Sequence, residues 1–319
     1  MRLIICGNGF DIHHNLKTRY EDYRQYLLKN EENVLERMSR LKYFDYGLDS
    51  IKNKESIFWT DVERNLSYDF WNCVEDLINN KLDEAHKKAS KMSLEDILDD
   101  KTEELPIDLN LHGSGATSLQ NFSGLSLYRW FRSIDLSSVI KDEKLHLNDE
   151  DFFITFNYTS TLEKVYSIPC DHILYIHGKL NDVQNPKTDS DVHNVMQFGN
   201  PNLDISLIPL YLEQAFIESD LAYQAQPCIG EMKYFFSLFT KNLKSNVENL
   251  KKFVEGKMLD EIVIMGHSYL GVDKYYYDEI LIPLCKNAKW TIYCYNENAK
   301  IDAENFLKKN KLFGEIETW

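Results

Sequence analysis

The turn Gly7-Asn8-Gly9-Phe10-Asp11 directly follows the apolar run Leu3 to Cys6. Glycines placed after a first strand let backbone N–H groups approach an anion where a Cβ would otherwise intervene, so Gly7 and Gly9 suit a phosphate. A tight turn needed only for packing explains the same pattern. The third glycine of the dinucleotide fingerprint is absent, and the next helix is expected to start late, near Thr18. Asn157 follows Phe-Ile-Thr-Phe and precedes Tyr-Thr-Ser-Thr-Leu-Glu, so a strand carries its amide to the sheet edge just as a helix begins. It can contact a ligand there or cap the helix, as can Thr159 or Ser160. His177 ends the run His-Ile-Leu-Tyr-Ile and is followed by Gly178, which places an imidazole capable of proton transfer at a strand end with little steric cover. His13 and His14 are read as loop residues that could line the same site.

Gly266-His267-Ser268-Tyr269-Leu270 resembles a nucleophile elbow, but its last glycine is displaced to Gly271 and no histidine follows His267. A serine hydrolase of that fold needs its histidine after the serine, so this reading is rejected. The alternative is a turn whose Ser268 hydroxyl and backbone contact a ligand, with Asp273 available to a sugar hydroxyl. Zinc has no suitable ligand spacing, and no Cys-x-x-Cys pair occurs among Cys6, Cys73, Cys170, Cys228, Cys285 and Cys294, which are read as reduced and mostly structural. No metal is expected.

These groups need strands to deliver them. Leu3 to Cys6, Phe152 to Phe156, Ile173 to Ile176, Ile262 to Met265 and Trp290 to Tyr295 are continuous apolar runs of the kind that form buried parallel strands. Polar and glycine residues follow them, at the carboxyl ends where open parallel sheets bind ligands. Residues 20–150 read as a helical insertion between the first two strands, packed on a core formed by residues 1–19 and 151–319. At its entry, Thr18 to Glu21 is read as a capping box; within it, Phe58, Val62, Leu66 and Phe70 mark a second helix with Trp59 and Trp71 nearby, and Ser93 to Pro106 is acidic and solvated. The polar segment from Asn181 to Asn200 is expected to be a mobile loop beside the third strand.

Composition narrows the partners. A hydrophobic fraction of 43% supports a sizeable core, no run reaches the ~20 apolar residues that span a bilayer, and the N-terminus lacks a signal-peptide pattern, so a cytoplasmic protein is expected. With 36 Lys and Arg against 51 Asp and Glu, the net charge is −15, which argues against a broad nucleic-acid footprint. Lys241, Lys244, Lys251 and Lys252 form one modest basic cluster, read as a solvated helix face.

Taken in order, Gly-Asn-Gly-Phe-Asp-Ile-x-His-x-Leu-Lys-Thr-x-Tyr at the start, Trp59-Thr-Asp-Val-Glu63, Thr155-Phe-Asn-Tyr-Thr-Ser-Thr-Leu-Glu163, Ile176-His-Gly and Gly266-His-Ser-x-x-x-x-Asp273 resemble the bacteriophage abortive-infection AbiH family. That family is in turn distantly similar to SIR2-like NAD-consuming domains. The resemblance implies a Rossmann-like (SIR2-like) α/β core and NAD as substrate, with Asn157 and His177 as the catalytic pair. It places Gly7, Asn8, Gly9, Phe10 and Asp11 in the nucleotide loop, and Gly266, His267, Ser268 and Asp273 near the adenosine ribose. The absence of a Cys-x-x-Cys zinc module sets acyl-lysine removal aside. The implied function is phage defence by hydrolysis of NAD+ to nicotinamide and ADP-ribose on infection. A nucleotide sensor that does not hydrolyse its ligand and a nuclease acting on RNA are the alternatives, and a homo-oligomer or a phage-derived trigger is a possible partner.

Overall fold

The computed structural model describes residues 1–39, 63, 124–199, 237 and 240–319. Six strands, β1 (Arg2–Cys6), β2 (Phe152–Thr155), β3 (Ile173–Tyr175), β4 (Glu261–Met265), β5 (Lys289–Cys294) and β6 (Gly314–Thr318), form one sheet in the order β3-β2-β1-β4-β5-β6. Every pairing is parallel; Leu3 is registered with Phe152 on one side and Ile262 on the other. This is the doubly wound order of a Rossmann-like fold, in which the chain starts at the centre, builds outward to β3, then returns to build β4, β5 and β6 on the other side of β1.

The five anticipated strands are present within a residue or two of their expected limits. The sixth was not anticipated. Its Gly-Glu-Ile-Glu-Thr sequence offers one apolar side chain between glutamates, which is how an edge strand reads when only part of it is covered.

Burial on both faces explains the continuous apolar runs. In β1, Leu3 and Ile5 point to one layer while Ile4 and Cys6 point to the other, and all four are fully buried. The first layer packs against α7 (Leu243–Val254), α10 (Glu297–Asn310) and a helical segment after β4. That segment consists of α8 (Lys274–Tyr276), a π turn (Tyr277–Leu281) and α9 (Ile282–Cys285). The second layer packs against α1 (Asn8–His13) and α5 (Thr161–Tyr166) through Phe10, Leu162 and Tyr166.

Helix α1 begins immediately after Gly7, not near Thr18 as expected: the turn at Gly7 runs straight into a helical N-terminus. The anticipated capping box is shifted by one residue. The Arg19 N–H donates to Asp22 Oδ2 at 3.0 Å at the start of α2 (Tyr20–Asn30), whereas Glu21 binds the Arg24 guanidinium. Of the expected insertion, α2, α3 (Glu32–Ser39) and α4 (Leu125–Arg132) are described. The helix expected around Phe58 to Phe70 and the acidic segment Ser93 to Pro106 lie outside the described residues, Glu63 apart.

The segment expected to be a mobile loop is a fastened strap. It contains α6 (Asp189–His193), capped by Thr188, and buries Val192, Met196 and Phe198. Gln197 N–H donates to the His177 carbonyl at 2.8 Å, and the Tyr158 hydroxyl donates to the Gln197 carbonyl at 2.7 Å. Polar composition concealed these apolar anchors and a fourth, Val183, buried near the start of the strap.

Candidate functional site

The crevice between β1 and β4 is the switch point of the sheet, where the chain order reverses and ligands bind. Here the turns that follow the two strands lock together. Gly7 N–H donates to the Met265 carbonyl at 3.1 Å and Gly9 N–H to the Gly266 carbonyl at 2.8 Å. Gly266 has φ +63°, and a Cβ on it would stand 2.3 Å from the Phe10 nitrogen. The glycines therefore allow close backbone approach between two loops, and the N–H groups of Gly7 and Gly9 are already committed to it. Phe10 points away into the core at 1% exposure.

Asp11 and Asn157 fasten this turn to the next strand end. The Asp11 carboxylate, 1% exposed, accepts from Thr159 Oγ1 at 2.6 Å and Thr161 Oγ1 at 2.7 Å. Burial raises its pKa to about 6, against the opposing effect of hydrogen bonds from Thr159, Thr161 and Asn157. Asn157 Nδ2 donates to the Gly7 carbonyl at 2.9 Å, and its own N–H donates to Thr155 Oγ1 at 3.1 Å. Asn157 thus bridges β1 and β2 rather than capping α5.

Beyond these loops a cavity of about 280 Å³ opens, with Asn157, His177, His267 and Asp273 in its wall. Asp273 sits between the two imidazoles: its Oδ1 is 3.5 Å from His177 Nε2 and its Oδ2 is 3.4 Å from His267 Nε2. The Tyr277 hydroxyl meets His267 Nδ1 at 2.7 Å, and burial pushes that phenol well above its usual pKa, so it stays protonated. Phe156 stacks on His267 with centroids 3.7 Å apart and meets His177 edge-on at 5.3 Å. The π turn matters here because Tyr276 and Tyr277, at its start, both reach into the site; Tyr276 Oη lies 3.4 Å from His177 Nε2.

Lys241 Nζ completes the group, 2.8 Å from Glu63 Oε2 and 3.2 Å from Asp273 Oδ1. Its cation, with the two imidazoles, holds Asp273 well below the ordinary carboxylate range despite burial. Burial, followed by the charge of Lys241, lowers the His177 pKa well below 6.5, so this imidazole is neutral at pH 7. Burial also raises Glu63, opposed by Lys241.

Asn8, Asp11, Asn157, His177, Gly266, His267, Ser268 and Asp273 are brought to one cavity; Gly7, Gly9 and Phe10 are not in its wall. Ser268 is exposed at the rim, and its hydroxyl donates to the Leu270 carbonyl at 2.9 Å. Two expectations are corrected. His13 and His14 do not line this site but a separate cavity of about 310 Å³ with Asp135, Ser138 and Asp142. His13 Nε2 is 2.8 Å from Asp142 Oδ2, and His14 is tied to the Phe10 carbonyl and Tyr166 hydroxyl. Lys241 is not part of a solvated face either: it precedes α7 and is 2% exposed, because buried Asp273 needs a cation.

Sequence reasoning also missed Glu63, Thr18, Phe156 and Tyr158 as wall residues. A buried carboxylate at position 273 would have pointed to a lysine partner, but composition could not say which. Among the described residues, no three His, Cys, Asp or Glu side chains group to hold a metal ion, and no helix is long and apolar enough to cross a membrane.

Sheet order and cavity together define a doubly wound α/β protein with a polar, histidine-containing site at its switch point. The family model for bacteriophage abortive infection AbiH matches residues 3–294, and the chain belongs to that family. Membership implies a part in abortive infection against phage. No curated protein and no solved structure matches the chain.

Proposed function

We propose that this protein acts in abortive infection by cleaving the N-glycosidic bond of NAD+, releasing nicotinamide and ADP-ribose. The observation that supports it most is the meeting of Asn157 and a neutral His177 in one cavity at the carboxyl ends of parallel strands. Water would add to C1′ of the ribose as the C–N bond breaks. The bonding pair leaves with nicotinamide and neutralises the pyridinium, and the proton of the water passes to His177.

The fit is one of part of the ligand. At about 280 Å³ the cavity is near the small end of ligand pockets, roughly 300–1,000 Å³, and suits a nucleoside-sized end of a dinucleotide. Aromatic walls from Phe156, Tyr158 and Phe131 would flank a planar base. His177 Nε2 faces Asp273 and Tyr276, which leaves Nδ1 for the attacking water, and Asp273 would offset the imidazolium charge as it forms. The Asn157 carboxamide spends its N–H groups on the Gly7 carbonyl and the Asp11 carboxylate, which leaves its carbonyl to accept from a water or ribose hydroxyl.

Lys241 burial weakens the nuclease alternative, since it removes one member of the basic cluster. A sensor that binds without turnover is favoured over hydrolysis only by the strongly lowered basicity of His177. Extracts of infected cells containing the protein, given NAD+ labelled in the nicotinamide ring and a chelator, test the reading. Labelled nicotinamide should be released by the wild type and not by His177→Ala. Retained NAD+ bound to the wild type would instead favour the sensor.

A further inference from the structure

His177 and His267 arrive from the ends of different strands, and Asp273 meets both. A carboxylate between two imidazoles can turn toward either, so something must fix its rotation. Lys241 approaches Oδ1 at 3.2 Å, closer than either imidazole, which leaves Oδ2 to His267. The lysine side chain is 1% exposed and is held from its other side by Glu63 at 2.8 Å. Glu63 in turn accepts the Gly199 N–H at 3.4 Å, at the end of the strap that binds the His177 carbonyl.

The geometry points to Lys241, gripped by Glu63, as the residue that positions Asp273 and through it both imidazoles. Residue 63 belongs to the stretch between the first two strands, so that stretch contributes to the geometry of a site whose two imidazoles follow strand ends. Lys241 is a positioning residue: it acts on His177 through the Asp273 carboxylate. The groups facing His177 are Asp273, Tyr276, His267, Phe156 and, one step removed, Lys241. Those facing Lys241 are Glu63, Asp273 and the nearby Tyr158. Removing the lysine takes away a cation that disfavours the His177 imidazolium and leaves in place a carboxylate that favours it.

Deleting one partner of a buried ion pair strands the other charge, so the test removes both. In a Lys241→Met, Glu63→Gln double variant, imidazole titrations followed by NMR should move His177 upward by about one pH unit or more. Lys241→Arg alone should keep it near the wild-type position. The activity reading rests on the proposed NAD+ cleavage: kcat should fall by about 10²-fold with little change in KM, as misplaced catalytic groups cause. If the methionine variant does not fold, a Lys241→Gln, Glu63→Gln pair gives the same reading with hydrogen bonding retained. A folded double variant whose His177 titrates as in the wild type overturns the positioning role. Should the wild type fail to cleave NAD+, the substrate assignment falls, and the imidazole titration alone still decides the role of Lys241.

Discussion

The backbone of Gly9 rests directly on that of Gly266. The N–H of one donates to the carbonyl of the other at 2.8 Å, and a Cβ on Gly9 would stand 2.6 Å from the Gly266 Cα. The two central loops of the sheet are thus closed against each other before any ligand binds. Gly9→Ala should cost about 2 kcal/mol or more, as overpacked sites do. Gly266→Ala adds the strain of a positive φ to the same clash. Denaturant unfolding of both variants checks this; a loss under about 0.5 kcal/mol, typical of unconstrained surface sites, would show that the loops can separate freely.

Asp11 should make stability depend on pH in an unusual direction. Its folded pKa of about 6 lies above the ordinary 3.8, so between these values the folded state holds more proton than the unfolded one. Stability from this group is therefore present at acidic pH and lost as pH rises from about 4 through about 6, by roughly 3 kcal/mol at most. Asp11→Asn removes the buried charge and should remove that part of the slope. Urea unfolding of wild type and variant at pH 4.5 and 7.0 compares the two; equal slopes would contradict the assignment.

Gly178 follows His177 with φ +87°, and a Cβ there would meet the Val195 carbonyl oxygen at 1.6 Å. Gly178→Ala should push the strap off the strand end and break the bond from Gln197 N–H to the His177 carbonyl. Limited proteolysis should then cut within residues 183–199 well before the remaining described parts of the chain. Wild-type resistance in this segment would mean that the strap does not depend on Gly178.

Asn157→Ala separates a structural role from a chemical one. Loss of the buried bond to the Gly7 carbonyl should cost about 1–2 kcal/mol of stability. Under the proposed reaction, turnover should fall by far more than such destabilisation can cause, in protein shown to be folded. A variant with lowered stability and unchanged turnover would leave Asn157 as a loop anchor only.

How much of this was legible depended on what each residue must satisfy locally. Five strands could be read because burial on both faces demands unbroken apolar runs, and their order along the chain placed Asn157, His177 and Asp273 near one sheet edge. The Gly7 and Gly9 pattern was legible as a turn, but its partner was not. Only the fold shows that those glycines pack against Gly266, since strand order decides which loops meet. Lys241 was hidden because a lysine among other lysines reads as solvated, and only the buried Asp273 explains why this one turns inward. His13 and His14 were drawn to the site by proximity in sequence, whereas α1 turns them toward Tyr166 and Asp142.

In the proposed reaction His177 takes the proton of the water that cleaves NAD+. The most direct measurement is NAD+ concentration in phage-infected cells expressing wild-type protein beside cells expressing His177→Ala at equal abundance. General-base help of this kind is worth ~10²–10⁴-fold in rate, so NAD+ should collapse with the wild type and hold near its uninfected level with the variant. NAD+ that holds steady with the wild type while the culture is still protected would contradict the account.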